Sequence, residues 1–222
     1  MKKIALVVLS VLLCIGASAQ KINHLSRYEA ANAALGEPQG PRVVLYGDSI
    51  TDGWPVQRPQ FFAETGFIGR GISGEESTQM LLRFRADVID IKASVVVILA
   101  GINDIASNLG DPYDENLTFS NIVSMTELAK CHGIRPVICS LLPSYNIRWR
   151  PEVEDAASKV ASLNARLEKF CKDSGITYVN YFQALAGEDG WKIRPELSPD
   201  TVHPNADGYA VMEAVLLRAL CL

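Results

Sequence analysis

At 222 residues, with a formal net charge of −4 at neutral pH, the chain is long enough for one α/β domain with a substantial core. Its 21 basic side chains are outnumbered by 25 acidic ones and form no cluster, which argues against nucleic acid as a partner. No CxxC pair or histidine-rich tract points to zinc.

The first residues have the parts of a secretory signal: Lys2 and Lys3, an apolar run over 4–15, and the small residues Ala17-Ser18-Ala19. They predict a signal peptide over 1–19 and a single exported domain, periplasmic or secreted, over 20–222. The apolar run is short for a bilayer span, with a retained anchor as the alternative. Leu13 stands where a small residue would precede a lipidated Cys14, so lipid attachment is not expected. No second long apolar stretch follows, and no membrane span is expected once the signal is removed. Loss of Lys2 and Lys3 leaves 19 basic against 25 acidic side chains. Cys131, Cys139, Cys171 and Cys221 remain. Export permits disulfides, but without close pairs these read as buried apolar residues, with pairing left open.

Residues 42–47 (RVVLYG) form the first predicted strand, a β-branched run ending in glycine, and 67–70 a weaker second. A helix is predicted over 75–90, with Met80, Leu81, Phe84, Val88 and Ile91 at helical spacing. Residues 94–100 (SVVVILA) are a continuous apolar strand of the kind buried on both faces of a parallel sheet. A second helix spans 117–132 and stops at Gly133. A fourth strand follows over 136–141, a third helix over 155–173 before Gly175, and a fifth strand over 176–179. The last helix runs over 205–220 with Asn205 as its N-cap. This alternation predicts a three-layer α/β/α sandwich, flavodoxin-like, with a five-stranded parallel sheet in the order 2-1-3-4-5.

Ligands of such sheets bind outside the carboxyl ends of the strands. Ser49 follows strand one, Gly74 strand two and Asn103 strand three, while Asp200 and His203 follow strand five. A serine hydroxyl needs a neighbouring base, and His203 can serve. An aspartate three residues before it, Asp200, can fix the imidazole tautomer. The N–H groups of Ser49 and Gly74 and the amide of Asn103 can form an oxyanion hole. Taken singly, each has a plainer reading: Gly71 and Gly74 as turn glycines, Asn103-Asp104 as a helix cap, His203 as a surface histidine. Asp48 reads as structural, its carboxylate receiving loop N–H groups. His132 reads as a charge at a helix end and His24 as solvated.

In these four blocks, GDSIT at Ser49, ISGE at Gly74, GIND at Asn103 and DTVHPN at Asp200 and His203, the chain resembles the SGNH/GDSL hydrolases. The match runs in the family's order from Gly47 to Tyr209. Ile50 and Ile102 replace commoner residues, and Glu75 stands where many members carry aspartate. The resemblance implies a serine esterase with Ser49 as nucleophile, Asp200 and His203 as its helpers, and no metal or organic cofactor.

The exported members with GDSIT followed by Asp-Gly-Trp look similar to carbohydrate acetylesterases and platelet-activating-factor acetylhydrolase-like proteins. A small-molecule or glycan ester, acetylated in the first instance, is therefore the expected substrate. Trp54, Tyr145, Trp149 and Trp191 are candidates for stacking on sugar, with packing of their loops as the plainer alternative. Arg58, Arg148 and Arg150 are candidate polar contacts. A lysophospholipase or thioesterase acting on longer chains is the alternative enzyme. A sugar-binding module on an inactive scaffold is the non-enzymatic alternative.

Overall fold

The computed structural model describes residues 25–222; the predicted signal peptide, Cys14 and His24 lie outside them. The chain enters through a short helix α1 (Glu29–Ala33), and then forms β1 (Val43–Gly47), α2 (Ser49–Gln57), α3 (Pro59–Thr65) and β2 (Ile68–Gly71). Next come α4 (Ser77–Phe84), which runs into a π-turn at Arg85–Ile89, β3 (Val95–Leu99), the single turn α5 (Ile102–Ile105) and α6 (Glu115–Cys131). The last part holds β4 (Arg135–Cys139), α7 (Ala156–Ser174), β5 (Thr177–Val179), α8 (Tyr181–Leu185), a 3-10 turn (Pro195–Leu197) and α9 (Ala206–Leu220).

The five strands make one parallel sheet in the order β2-β1-β3-β4-β5, as the alternation of apolar runs and amphipathic helices predicts. Every residue of β1 is buried, as are four of the five in β3 and in β4. Their Val, Ile and Leu side chains are covered on both faces, the environment a parallel sheet requires. The helices fall into two packed groups: α4, α6 and α7, and α2, α8 and α9. The strand order reverses between β1 and β3, which opens a crevice at their carboxyl ends.

Helix ends follow local chemistry. The Asp114 side chain accepts from the N–H groups of Asn116 and Leu117 and starts α6 two residues before the predicted position. Gly175, at φ +62°, ends α7, and the Asn205 side chain caps α9 by accepting from the Gly208 N–H. The helix predicted over 75–90 begins later. Glu76 is its N-cap, closing a capping box with Gln79. Its last turn widens so that the Asp90 N–H bonds to the Arg85 carbonyl.

The cysteine reading is corrected in part. Cys139 and Cys171 are buried, but Cys131 and Cys221 are exposed at or beside the ends of α6 and α9, and all four are free thiols. No helix among the described residues is long and apolar enough to cross a membrane.

Candidate active site

Gly47 ends β1 where only hydrogen fits. A Cβ there would lie 2.2 Å from the Thr51 hydroxyl and 2.7 Å from the Leu99 carbonyl oxygen. The chain then turns at once into α2. Asp48 caps that helix by accepting from the Ile50 N–H at 3.0 Å, as its structural reading requires. Ser49 is the first helical residue, so its N–H is one of those a helix start leaves unsatisfied.

The Ser49 hydroxyl lies 2.9 Å from Nε2 of His203, across 154 residues of sequence. On the other side of the ring, Nδ1 lies 2.8 Å from Oδ2 of Asp200. A carboxylate on Nδ1 keeps the proton there and leaves Nε2 as the acceptor facing serine. Asp200 is itself held from behind: its Oδ1 accepts from the backbone N–H groups of His203 (2.7 Å) and Val202 (3.1 Å). Burial alone would raise the pKa of Asp200, but the His203 and Val202 N–H groups and the imidazole outweigh it and hold the carboxyl below its ordinary value. The turn is tight enough to put Thr201 at φ +74°, with its hydroxyl 2.8 Å from Oδ1 of Asn146.

Gly74, at φ +84°, sits in the loop after β2, a backbone shape suited to glycine. That loop is tied down by the Ser73 hydroxyl donating to Asp52 at 2.7 Å and by the Ile72 N–H donating to the Gly47 carbonyl at 3.0 Å. Asn103 is 1% exposed, inside α5 rather than capping it; Gly101 is the N-cap. Its Nδ2 donates to the Glu75 carbonyl at 2.9 Å. Ser49, Gly74, Asn103, Asp200 and His203 thus come from four strand ends to one rim, with the hydrogen bonds that join serine, histidine and aspartate in place.

One member of the expected aromatic platform lies in the core. Trp54 is 2% exposed within α2, stacked on Tyr209 (5.3 Å) and Phe61 (6.0 Å), and its indole N–H donates to Glu213 at 3.1 Å. It is a core residue and not a substrate contact: Asp48 starts a helix where a loop was expected, and that turns the indole inward. Arg58 is committed to the same Glu213 through Nη2 at 2.8 Å and Nε at 3.0 Å. Arg150 holds the 143–154 loop by donating to the Ser107 carbonyl at 2.8 Å, while Arg148 is exposed. Tyr145 and Trp191 are exposed, with the Lys192 ammonium 4.8 Å above the Tyr145 ring. Trp149 lies beside His203: it is 39% exposed and its ring centroid lies 5.7 Å from that of His203.

Two further residues support the site, Asn108, which the sequence does not single out, and Asp104, which it suggests only as part of a helix cap. Asn108 donates to the Gly74 carbonyl (3.1 Å) and to Oδ1 of Asn103 (2.9 Å), and nothing in its local sequence marks it. Asp104 is buried behind Asn103, accepting from the N–H and hydroxyl of Ser77 and from the Thr118 hydroxyl. Burial raises its pKa despite those donors. His132 rests on the end of α6, with Nδ1 2.8 Å from the Leu128 carbonyl. Among the described residues, no three His, Cys, Asp or Glu side chains gather to hold a metal ion.

A family model described as GDSL-like lipase/acylhydrolase matches residues 45–211. The chain belongs to this family. Among solved structures, a GDSL-like lipase of Bacteroides thetaiotaomicron is 46% identical, with a TM-score of 0.86 over 90% of this chain and 97% of that one. A variant of an acetyl-xylooligosaccharide esterase from Geobacillus Stearmophilus is 18% identical, with a TM-score of 0.68 over 82% of this chain and 95% of that one; this likeness is one of fold. The uncharacterized lipoprotein YqeF of Bacillus subtilis (strain 168) is 32% identical over 117 residues, 46% of this chain and 48% of that protein. The chain spans about half the length of this curated relative. Membership in the GDSL-like family agrees with the resemblance carried by the four sequence blocks.

Proposed function

We propose that the chain is an exported serine esterase that removes short acyl groups, acetyl first, from carbohydrates. The observation that carries the reading is the continuous Asp200–His203–Ser49 hydrogen-bond chain on the rim that also holds Gly74 and Asn103. Ser49 Oγ attacks the ester carbonyl while His203 Nε2 takes its proton. The tetrahedral oxyanion is met by the N–H groups of Ser49 and Gly74 and the Asn103 amide. His203 passes the proton to the departing alcohol, leaving an acyl group on Ser49. Water, deprotonated by the same imidazole, then releases the acid and restores the serine. Asp200 stays ionised and stabilises the imidazolium in both halves.

Two things support the carbohydrate reading. Trp149 offers a partly exposed indole beside His203, the side from which an alcohol leaves, and aromatic rings pack on sugar faces. The Geobacillus neighbour of the same fold is described as an acetyl-xylooligosaccharide esterase. Export rests on the basic, apolar and small-residue segments of the first 19 residues, and the Bacillus relative is described as a lipoprotein.

The test is acetate release from a panel of acetylated oligosaccharides, with Ser49→Ala as control, beside a series of p-nitrophenyl esters from acetate to dodecanoate. Release from the glycans, with kcat/KM highest for acetate, is expected. A clear preference for octanoate or longer would instead identify a lysophospholipase or thioesterase. Failure of a fluorophosphonate to label Ser49 in folded protein would identify an inactive binding module.

A further inference from the structure

Trp149, Asn108 and Asn103 form a hydrogen-bond chain that runs from the surface into the site. The Trp149 indole N–H donates to Oδ1 of Asn108 at 3.0 Å. Asn108 Nδ2 donates both of its protons, to the Gly74 carbonyl at 3.1 Å and to Oδ1 of Asn103 at 2.9 Å. Asn103 Nδ2 then donates one proton to the Glu75 carbonyl at 2.9 Å, and among the described residues its second has no acceptor.

The direction of this chain is set by chemistry at both ends. An indole N–H can only donate, and the Gly74 and Glu75 carbonyls can only accept. Turning Asn108 over would face its NH₂ with the indole N–H and its oxygen with the Gly74 carbonyl. Turning Asn103 over would face its oxygen with the Glu75 carbonyl and its NH₂ with the NH₂ of Asn108. Each reversal replaces hydrogen bonds with like-on-like contacts, a heavy cost for the 1%-exposed Asn103.

We infer that Asn108 is the positioning residue of the oxyanion hole, keeping the Asn103 amide nitrogen toward substrate and anchoring the Gly74 peptide, and that Trp149 sets the orientation of Asn108 through its indole N–H. Trp149 then serves the reaction in a way distinct from stacking. Its ring lies against His203, so one side chain touches the general base and orders the oxyanion donors. The inference rests on the reading of Asn103 as an oxyanion donor.

The decisive variant is Asn108→Asp. It keeps the shape and still accepts from Trp149, but an ionised carboxylate has no proton for Asn103 or for Gly74. It should lower kcat on p-nitrophenyl acetate by roughly ten- to a hundredfold with KM within about twofold, as misplacement of a transition-state donor does. Asn108→Ala should fall similarly. The loss in Asn103→Ala/Asn108→Ala should be clearly smaller than the product of the two single losses, since Asn108 acts in part through Asn103 and in part through the Gly74 peptide. Trp149→Phe keeps a ring against His203 and removes only the N–H. It should cost several-fold in kcat in the parent and nothing further in Asn108→Ala. Thermal melts confirm folding of each variant, and Trp149→Phe decides the matter if the Asn108 variants do not fold. Near-parental kcat in Asn108→Asp, or losses that multiply between positions 103 and 108, would overturn the inference alone. Full activity in Asn103→Ala would overturn the oxyanion assignment together with it.

Discussion

Arg83 donates from Nη2 to the carbonyl oxygen of Gly47 at 2.9 Å, so a guanidinium on α4 holds the last residue of β1, two positions before Ser49. Its Nε pairs with Glu75 at 2.6 Å, and its Nη1 bonds to Asp87 at 2.9 Å and to the Arg70 carbonyl at 3.0 Å. The side chain has no solvent exposure. One cation therefore joins the ends of β1 and β2, from which Ser49 and Gly74 project. Arg83→Met removes it while two acidic side chains stay buried. It should cost about 3–5 kcal/mol of stability by urea denaturation. A loss under about 1 kcal/mol would show that the three charges are replaceable.

The proposed mechanism makes Ser49 and His203 one unit, so their substitutions should not add. Ser49→Ala and His203→Ala should each lower kcat at least about a thousandfold, and the double variant should be no worse than either. Losses that multiply would mean that another base serves Ser49. Single-turnover assays with p-nitrophenyl acetate give the comparison.

Asp48 is 1% exposed, and burial pushes its carboxyl up to about 7, with the Ile50 N–H and the nearby His203 pulling the other way. An unfolded aspartate titrates near 3.9. Between that value and about 7 the native state keeps a proton the unfolded chain has lost. Stability should therefore fall as pH rises through this window, with the full penalty above it. Asp200 has the opposite sign: its contribution is present above the ordinary carboxylate range and disappears only in acid. Asp48→Asn keeps an acceptor for Ile50 and removes the titration. Its melting temperature, relative to the parent, should climb by several degrees between pH 5 and pH 8. An unchanged difference across that range would refute the assignment.

Trp54 joins α2 to α9 through Glu213 and Tyr209. Trp54→Phe keeps most of the packing and loses the indole N–H, leaving a buried carboxylate short of a donor. It should lower stability by about 1–3 kcal/mol, while KM for small esters stays within about twofold. A large rise in KM with unchanged stability would return Trp54 to the substrate.

The sheet order and the meeting of Ser49, Asp200 and His203 on the rim that holds Gly74 and Asn103 were legible because each depends on patterns local in sequence. A five-residue apolar run is a buried strand wherever it lies, and a strand's carboxyl end is where this architecture gathers ligand groups. Trp54 was not legible, because the side chains that bury it, Tyr209 and Phe61, belong to other helices and Gly53 and Pro55 disguise α2 as loop. Arg83 did leave a trace: it interrupts the apolar stripe of Met80, Phe84 and Val88 and stands four residues before Asp87. Its partners at Gly47 and Glu75 are fixed only by tertiary contact. Asn108 left none, since its role exists only where three loops meet.

The turn at Thr201 carries a further consequence. A β-branched residue at φ +74° sits in a region of backbone space its side chain resists, and the hydroxyl bond to Asn146 keeps it there. The turn behaves as a loaded spring with a latch, and its tension lies directly behind the carboxylate that aims His203. Thr201→Gly would release the tension, and the molecule should melt at a higher temperature while turning over more slowly. On the proposed mechanism, endurance and turnover would thus be set against each other at one residue between Asp200 and His203.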